Sequence, residues 1–317
     1  MKLFSRIWSF GLSTNPNAQW LKLLIVLSLI LVLVWWKRKY MPTLYTEGFT
    51  QNERYILKRD GEIYDPFYIG IYDYLNKTKP RAEFEMKQII DATQPDKEHS
   101  VILDIGCGTG CIVNQLTEHG YRAFGVDKSK AMVDISTRKF PDAKIKLGNA
   151  EDSMEFDRET FTHILCLNKT IYEFPDKVAF FRNCYHWLVP GGYLVVHMVD
   201  PQKFDPIVSA GKPRIFDNPQ KYAKERITDT VIDFMDFKYK SAYDFKDAEK
   251  TGVVRCTETF TDKQTGNIRE NEQTLAMDPE ESILKQARMC QFIAQGQFSM
   301  AEYNNDEHQT VYIFQKI

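Results

Sequence analysis

No cysteine pair in this 317-residue chain has the CxxC spacing, and no Cys/His cluster has the spacing of a zinc ligand set. The six cysteines are Cys107, Cys111, Cys166, Cys184, Cys256 and Cys290, several of them inside apolar runs. They read as reduced thiols packed in a core, so neither a disulfide framework nor a metal centre is expected. An excess of charge of one sign is also missing. Lys and Arg number 41, Asp and Glu 43, and the formal net charge is −2. Without a broad basic surface, no nucleic-acid partner is expected. There is no internal repeat and no low-complexity tract, which excludes solenoid and linker architectures.

One long apolar run is present. Residues 20–36 read WLKLLIVLSLILVLVWW. As a helix rising 1.5 Å per residue this spans roughly 25 Å, enough for a bilayer core with some thinning or snorkelling. Tryptophans at both ends suit the interfacial belt, and Lys22 lies one turn from an end. Val34-Trp35-Trp36-Lys37 offers no small-residue cleavage site, which argues against a removable signal. The expected organisation is therefore an N-terminal tail over 1–19, a single membrane-spanning helix over 20–36 and a juxtamembrane linker over 37–62. Residues 63–317 form the remaining domain. Lys37, Arg38 and Lys39 form a denser cluster than Lys2, Arg6 and Lys22, so the domain is expected on the cytoplasmic side.

From Ser100 to Val199 strand and helix patterns alternate. Apolar strands are expected over 101–105, 121–126, 143–147, 161–167 and 193–199, with helices over 111–118, 129–138 and 176–188. A further helix is expected from about Pro80 to Ala92. The alternation implies a doubly wound, mostly parallel sheet in an α/β fold. The tail differs: strands over 230–245, 253–260 and 268–277, a helix capped by Asp278 that runs to about Ala294, and a closing hairpin of 298–303 and 310–315. Residues 200–277 thus add an antiparallel β region.

The stretch VILDIGCGTG, residues 101–110, carries the chemical signal. Its glycines at 106, 108 and 110, with Cys111 following, fail the GxGxxG dinucleotide pattern and the GxxxxGK[ST] phosphate loop. Asp104 ends the strand just before them. A carboxylate repels a pyrophosphate and attracts an ammonium group, so the loop favours a ligand with a cationic amine and no phosphate.

These residues resemble the first motif of the class I S-adenosylmethionine-dependent methyltransferases, and three later segments fit the same family in order. Asp127 ends the second strand, where the family places an acid on the ribose hydroxyls. Gly148-Asn149-Ala150-Glu151-Asp152 follows the third strand, where the family's adenine loop usually reads Gly-Asp-Ala; Asn149 departs from that pattern but keeps an acceptor oxygen. Trp187-Leu188-Val189-Pro190-Gly191-Gly192-Tyr193 is similar to the turn before the fifth strand. The resemblance implies S-adenosyl-L-methionine as cofactor, held by Asp104, Gly106, Cys107, Gly108, Gly110, Asp127, Asn149, Ala150 and Glu151.

Ligands of this fold class bind beyond the carboxyl ends of the strands. That points to Asn168 and Tyr172 as cofactor or substrate contacts and to His197 as a candidate base. Tyr64, Tyr68 and Tyr72 recur every four residues, either as one packed helix face or as an aromatic cover over a cation; Tyr68 and Tyr72 are catalytic candidates on the second reading. Arg214 is a candidate for holding an anionic substrate. The expected function is a membrane-anchored methyltransferase acting on a small-molecule or lipid-like acceptor. The alternatives are a protein methyltransferase with membrane-associated targets, and a non-catalytic binding or scaffold module. Oligomeric state has no signature in the sequence.

Overall fold

The computed structural model describes residues 15–40, 53–212, 218–246 and 248–317. The tail before residue 15, the stretch 41–52 and Arg214 lie outside the described residues. The chain divides into two units, Met1–Thr46 and Glu47–Ile317. The first contains α1 (Pro16–Tyr40), a helix of 25 residues. Its described side chains run from Gln19 to Trp35, and the apolar ones are exposed. Among the described residues no helix is long and apolar enough to cross a membrane.

The second unit opens with β1 (Tyr55–Arg59), α2 (Pro66–Asn76) and α3 (Thr78–Thr93). Then come β2 (Val101–Ile105), α4 (Cys111–Glu118), β3 (Arg122–Asp127), α5 (Lys130–Lys139), β4 (Lys144–Leu147), β5 (Phe161–Cys166), α6 (Lys177–Trp187) and β6 (Leu188–Val199). The tail adds β7 (Asp229–Asp233), β8 (Phe237–Asp244), α7 (Ala248–Thr251), β9 (Val253–Asp262) and β10 (Ile268–Ala276). It closes with α8 (Glu280–Met289), β11 (Phe292–Ser299), α9 (Ala301–Asn304) and β12 (Gln309–Lys316).

Seven strands form the main sheet in the order β11-β12-β6-β5-β2-β3-β4. The five strands from β6 to β4 are parallel, and β12 pairs antiparallel with β6. The strand order reverses between β2 and β5, which opens a crevice at their carboxyl ends. Both faces of β2, β5 and the later half of β6 are covered, which explains their near-continuous apolar sequence. Alternate residues feed two cores: Leu103, Ile105, Ile164 and Cys166 pack with α6, whereas Ile102 and Leu165 pack with α3 and α4.

A second sheet has the order β1-β10-β9-β8-β7. Its face packs Phe237, Tyr239 and Phe260 against Ile63, Tyr68, Ile71 and Leu75, so α2 lies between this sheet and the glycine loop. Arg269 of β10 fastens the layers: its guanidinium donates to Asp65 Oδ2 at 2.6 Å and to the Ile63 carbonyl at 3.1 Å. The doubly wound, mostly parallel sheet and the added antiparallel region match the sequence reading.

Several boundaries do not. The expected linker over 37–62 contains β1, which becomes a strand only by pairing in parallel with β10 about 210 residues later. The expected strand 230–245 is two strands, β7 and β8, paired antiparallel around a turn at 234–236. The sixth strand starts at Leu188, ahead of the Pro-Gly-Gly turn. Leu188 pairs with Phe161 and Tyr193 with His163, so the turn is an excursion inside one strand. Asp278 does not cap α8, whose N-cap is Pro279; its carboxylate pairs instead with buried Lys177 at 3.0 Å. That helix stops at Met289, because Gln291 takes a φ of +65°. Gly296 ends no helix; it sits at a bulge in β11. Residues 301–304, expected in the closing hairpin, form α9.

Candidate active site

The glycine loop leaves β2 at its carboxyl end with two backbone demands. Gly106 has φ +66°, and a Cβ there would stand 2.5 Å from Thr170 Cγ2. Only glycine lets the segment after β5 come this close. Gly110 has φ +78° and starts α4; a Cβ there would stand 2.4 Å from Ile145 Cδ1. It serves helix-on-sheet packing and borders none of the cavities described below.

Asp127 ends β3 and holds the loop. Its Oδ2 accepts from the Gly108 N–H and its Oδ1 from the Ser129 N–H, both at 2.8 Å. Burial pushes its carboxyl up, and the two N–H groups pull it back down. Asp104 has no such compensation. It is 4% exposed. Burial pushes its carboxyl well above the usual carboxylate range, and Glu85 and Asp127 raise it further. Among the described residues no cation and no hydrogen-bond donor faces it.

Three cavities meet above the crevice, and Tyr72 and Asn168 line all of them. The first encloses about 720 Å³ and is bordered by Asp127, Gly148, Asn149, Ala150, Glu151 and Thr170. The second encloses about 980 Å³ between the strand ends and the second sheet, with Lys169, Glu258, Tyr239 and Tyr243 among its walls. The third encloses about 490 Å³ around Asp104, Glu85, Arg81, Cys107 and Thr109. Gly106 and Gly108 separate the first from the third. At the junction Asn168 Nδ2 donates to the Tyr72 hydroxyl at 3.3 Å. Asn168 and Lys169 both have positive φ, +49° and +66°. Two adjacent non-glycine residues in this region store strain of the kind found at functional sites.

The first and third cavities fit S-adenosylmethionine by the chemistry of their donors. Asp104 offers an unanswered carboxylate for an ammonium group. Each Asp127 oxygen accepts one N–H and keeps a lone pair for a ribose hydroxyl. Asn149 is less free than expected. Its Oδ1 already accepts from the Glu151 N–H at 3.1 Å, and its own N–H donates to Glu155 Oε2. Cys107 lines the third cavity with its thiol packed against Gly125, and burial pushes that thiol well up.

Tyr64, Tyr68 and Tyr72 do form one face, with ring centroids 6.0 to 6.5 Å apart, and that face borders the second cavity. The Tyr68 hydroxyl donates to Glu258 Oε1 at 3.0 Å. Asp73 on the same helix ties the region together, accepting from the Thr109 and Thr78 hydroxyls at 2.6 Å and pairing with Lys139.

Two expected site residues stand elsewhere. Tyr172 borders no cavity. It is fully buried, its hydroxyl donating to the Val199 carbonyl at 3.0 Å and accepting from the Val199 N–H at 2.8 Å. The 3-10 turn Thr170–Glu173 turns Thr170 and Glu173 to the cavities and Ile171 and Tyr172 to the core. His197 is likewise fully buried and borders none of the cavities. Its Nδ1 accepts from the Lys169 N–H at 2.9 Å and faces Arg81 Nη2 at 3.2 Å. Burial and Arg81 hold its pKa well below the usual value, so the ring stays neutral and positions Lys169 and Arg81. Lys169, Glu258, Glu173 and Arg81 were not anticipated. Lys169 was the most accessible of these, adjoining Asn168 after the strand; nothing near Glu258 marks it in sequence.

Two substitutions separate these roles. Asp104 has a folded pKa above its unfolded value near 4, so its contribution is fully present below about pH 4 and is lost as pH rises through the raised value. Asp104→Asn is expected to stabilise the ligand-free protein at pH 7 by about 1–3 kcal/mol in denaturant titration. It is expected to weaken S-adenosylmethionine binding at least tenfold by calorimetry. Tyr172→Phe is expected to cost about 1–3 kcal/mol of stability, with cofactor affinity unchanged within twofold.

The family model described as a methyltransferase domain matches residues 103–196. Over 142 residues the chain is 30% identical to dTDP-4-amino-2,3,4,6-tetradeoxy-D-glucose N,N-dimethyltransferase of Saccharopolyspora spinosa, covering 42% of this chain and 55% of that one. It is 28% identical over 96 residues to ubiquinone biosynthesis O-methyltransferase of Coxiella burnetii, covering 29% of this chain and 41% of that one. The match thus spans about half the length of these curated relatives. The CcbJ methyltransferase of Streptomyces caelestis shares the fold with a TM-score of 0.59 at 16% identity, over 81% of this chain and 99% of that one. Residues 103–196 thus match a methyltransferase domain, and the chain shares the class I methyltransferase fold.

Proposed function

We propose that the chain methylates a polar small molecule from a position tethered to a membrane. The observation that carries the reading is the meeting of three cavities at Tyr72 and Asn168. The first and third suit the ends of S-adenosylmethionine, and the second lies beneath the second sheet. The cofactor supplies an electrophilic methyl group. The chain's residues orient the partners and exclude water. Asn168 and Tyr72 fix the junction, and Tyr64, just before α2, with Tyr68 and Tyr72 on it, presents aromatic faces and hydroxyls to the acceptor cavity.

Lys169, Glu258, Asp205, Lys212 and Ser241 make the walls of that cavity polar. Such walls suit a hydrophilic acceptor and oppose a buried acyl chain. Its position between two sheets favours a small molecule over a protein segment. The relatives act at nitrogen in one case and oxygen in the other, so the acceptor atom stays open. The scaffold alternative has less support, because Asp104 is a costly residue for a protein with no cation to bind.

Support for the tether comes from the sequence alone, the apolar run 20–36 with tryptophans at both ends. Lys37, Arg38 and Lys39 favour the cytoplasmic side for the domain. Expressed in cells, the full chain is expected to sediment with membranes and resist carbonate extraction, and a variant lacking residues 1–40 to remain in the supernatant. The purified full chain is expected to bind S-adenosylmethionine with micromolar Kd and to pass a labelled methyl group to members of a panel of polar amines and alcohols. A folded chain that binds no cofactor overturns the enzymatic reading, and a full chain released by carbonate overturns the tether.

A further inference from the structure

Lys169 is the unusual charge of the acceptor cavity. The other cations there have partners: Lys212 pairs with Asp205 Oδ2 at 2.5 Å and Arg81 with Glu85 Oε1 at 2.9 Å. Among the described residues no carboxylate pairs with Lys169. Its Nζ has one polar contact, the Tyr243 hydroxyl at 3.4 Å. It also lies over the rings of Phe204 and Tyr243, at 5.5 and 5.7 Å from their centroids. Two aromatic faces favour the ammonium form.

Glu258 borders the same cavity but is engaged from within. Its Oε1 accepts from the Tyr239 hydroxyl at 2.6 Å and the Tyr68 hydroxyl at 3.0 Å, and its Oε2 from Asn271 Nδ2 at 3.3 Å. It therefore has little to offer Lys169. A buried cation is costly unless a partner answers it. Here the charges within the protein leave that place open on the side of the cavity.

We propose that the acceptor carries an oxyanion, a carboxylate or phosphate group, which Lys169 binds beside the Tyr243 hydroxyl. This rests on the reading of the second cavity as the acceptor site and narrows its substrate class to anionic molecules. The Lys169 N–H bond to His197 and the strained Asn168–Lys169 backbone hold the ammonium group at a fixed distance from the junction. The anion would thus set how far the acceptor's nucleophile reaches toward Tyr72 and Asn168.

The charged and titratable groups acting on Lys169 come from several elements: Arg81 on α3, Tyr243 on β8, Cys256 on β9, and Asp205 and Asp306 in loops. Burial first, then Arg81, brings its pKa down to about 8. It is thus mainly protonated at pH 7 and measurable by competitive labelling. The full chain is pulsed with acetic anhydride from pH 6 to 10, and acetylation of each lysine is read by peptide mass spectrometry. Chloride, inorganic phosphate and malonate are compared at equal ionic strength.

In chloride Lys169 is expected to titrate near 8. Phosphate or malonate is expected to raise that value by about one unit, slowing its acetylation about fivefold at pH 8, while exposed lysines keep their rates. The more effective anion identifies the source of the charge. Equal Lys169 rates in all three salts, or an equal slowing of every lysine, overturns the proposal. Calorimetry with S-adenosylmethionine on the wild type and Lys169→Gln keeps the two readings apart. Cofactor binding retained in both, without an anion effect, removes the anion site alone; its absence in the wild type removes the methyltransferase reading, whatever the labelling shows.

Discussion

Asp104 ends the central strand of the sheet with its carboxylate nearly sealed from water and no cation to answer it. Its neighbours Glu85 and Asp127 are acids and make matters worse. This cost is bearable only because the surroundings are rigid: β2 is paired on both sides, α3 and α4 cover one face, and Asp127 pins the glycine loop through two N–H groups. The loop can then present an unpartnered acidic side chain at a cavity mouth. A protein built for stability alone would place an apolar residue there. The exception marks the end of the crevice where a cationic ligand group belongs.

The strain on the opposite side of the crevice has the same logic. Asn168 and Lys169 both adopt left-handed backbone conformations, supported by neutral His197 below and Tyr72 above. This carries the chain sharply from β5 into the Thr170–Glu173 turn, against the space left by Gly106. Loop and turn thus touch at one glycine and open cavities on either side of it. The second sheet completes the arrangement by pressing α2, with its tyrosine face, over the second cavity. Asp73 at the back of α2 links that helix to α3, α5 and the glycine loop, so the cover and the cofactor loop are mechanically joined.

What the sequence showed depended on how local each cause was. The ends of β2 and α4 were legible to the residue, because an apolar run, an acid and three glycines lie next to one another. The mostly parallel arrangement of the main sheet followed from alternating patterns. Elements whose cause is a distant partner were not legible: β1 exists because β10 lies beside it, and β7 and β8 separate where a turn at 234–236 reverses the chain. Gly191, part of the expected turn before the fifth strand, lies within one strand. At the site, Asp104 and Asp127 border the cavities at the strand ends, where the sequence put them. Tyr172 and His197 were misplaced because a 3-10 turn and a buried strand position decide which side chains reach the cavity, and neither leaves a pattern in the sequence. Glu258 reaches the cavity from a strand 150 residues beyond Gly108, and only the packing of the second sheet on α2 brings it there.

The central claim is that Asp104 waits for an ammonium group. The most direct measurement compares S-adenosylhomocysteine with 5′-methylthioadenosine, which keeps the adenosine and sulfur but lacks the amino-acid end. Titration of the full chain with each is expected to show at least a tenfold weaker Kd for the truncated ligand, about 1.4 kcal/mol or more. Equal affinities would mean that the charge at Asp104 contributes nothing to recognition, and the account of the crevice would fail.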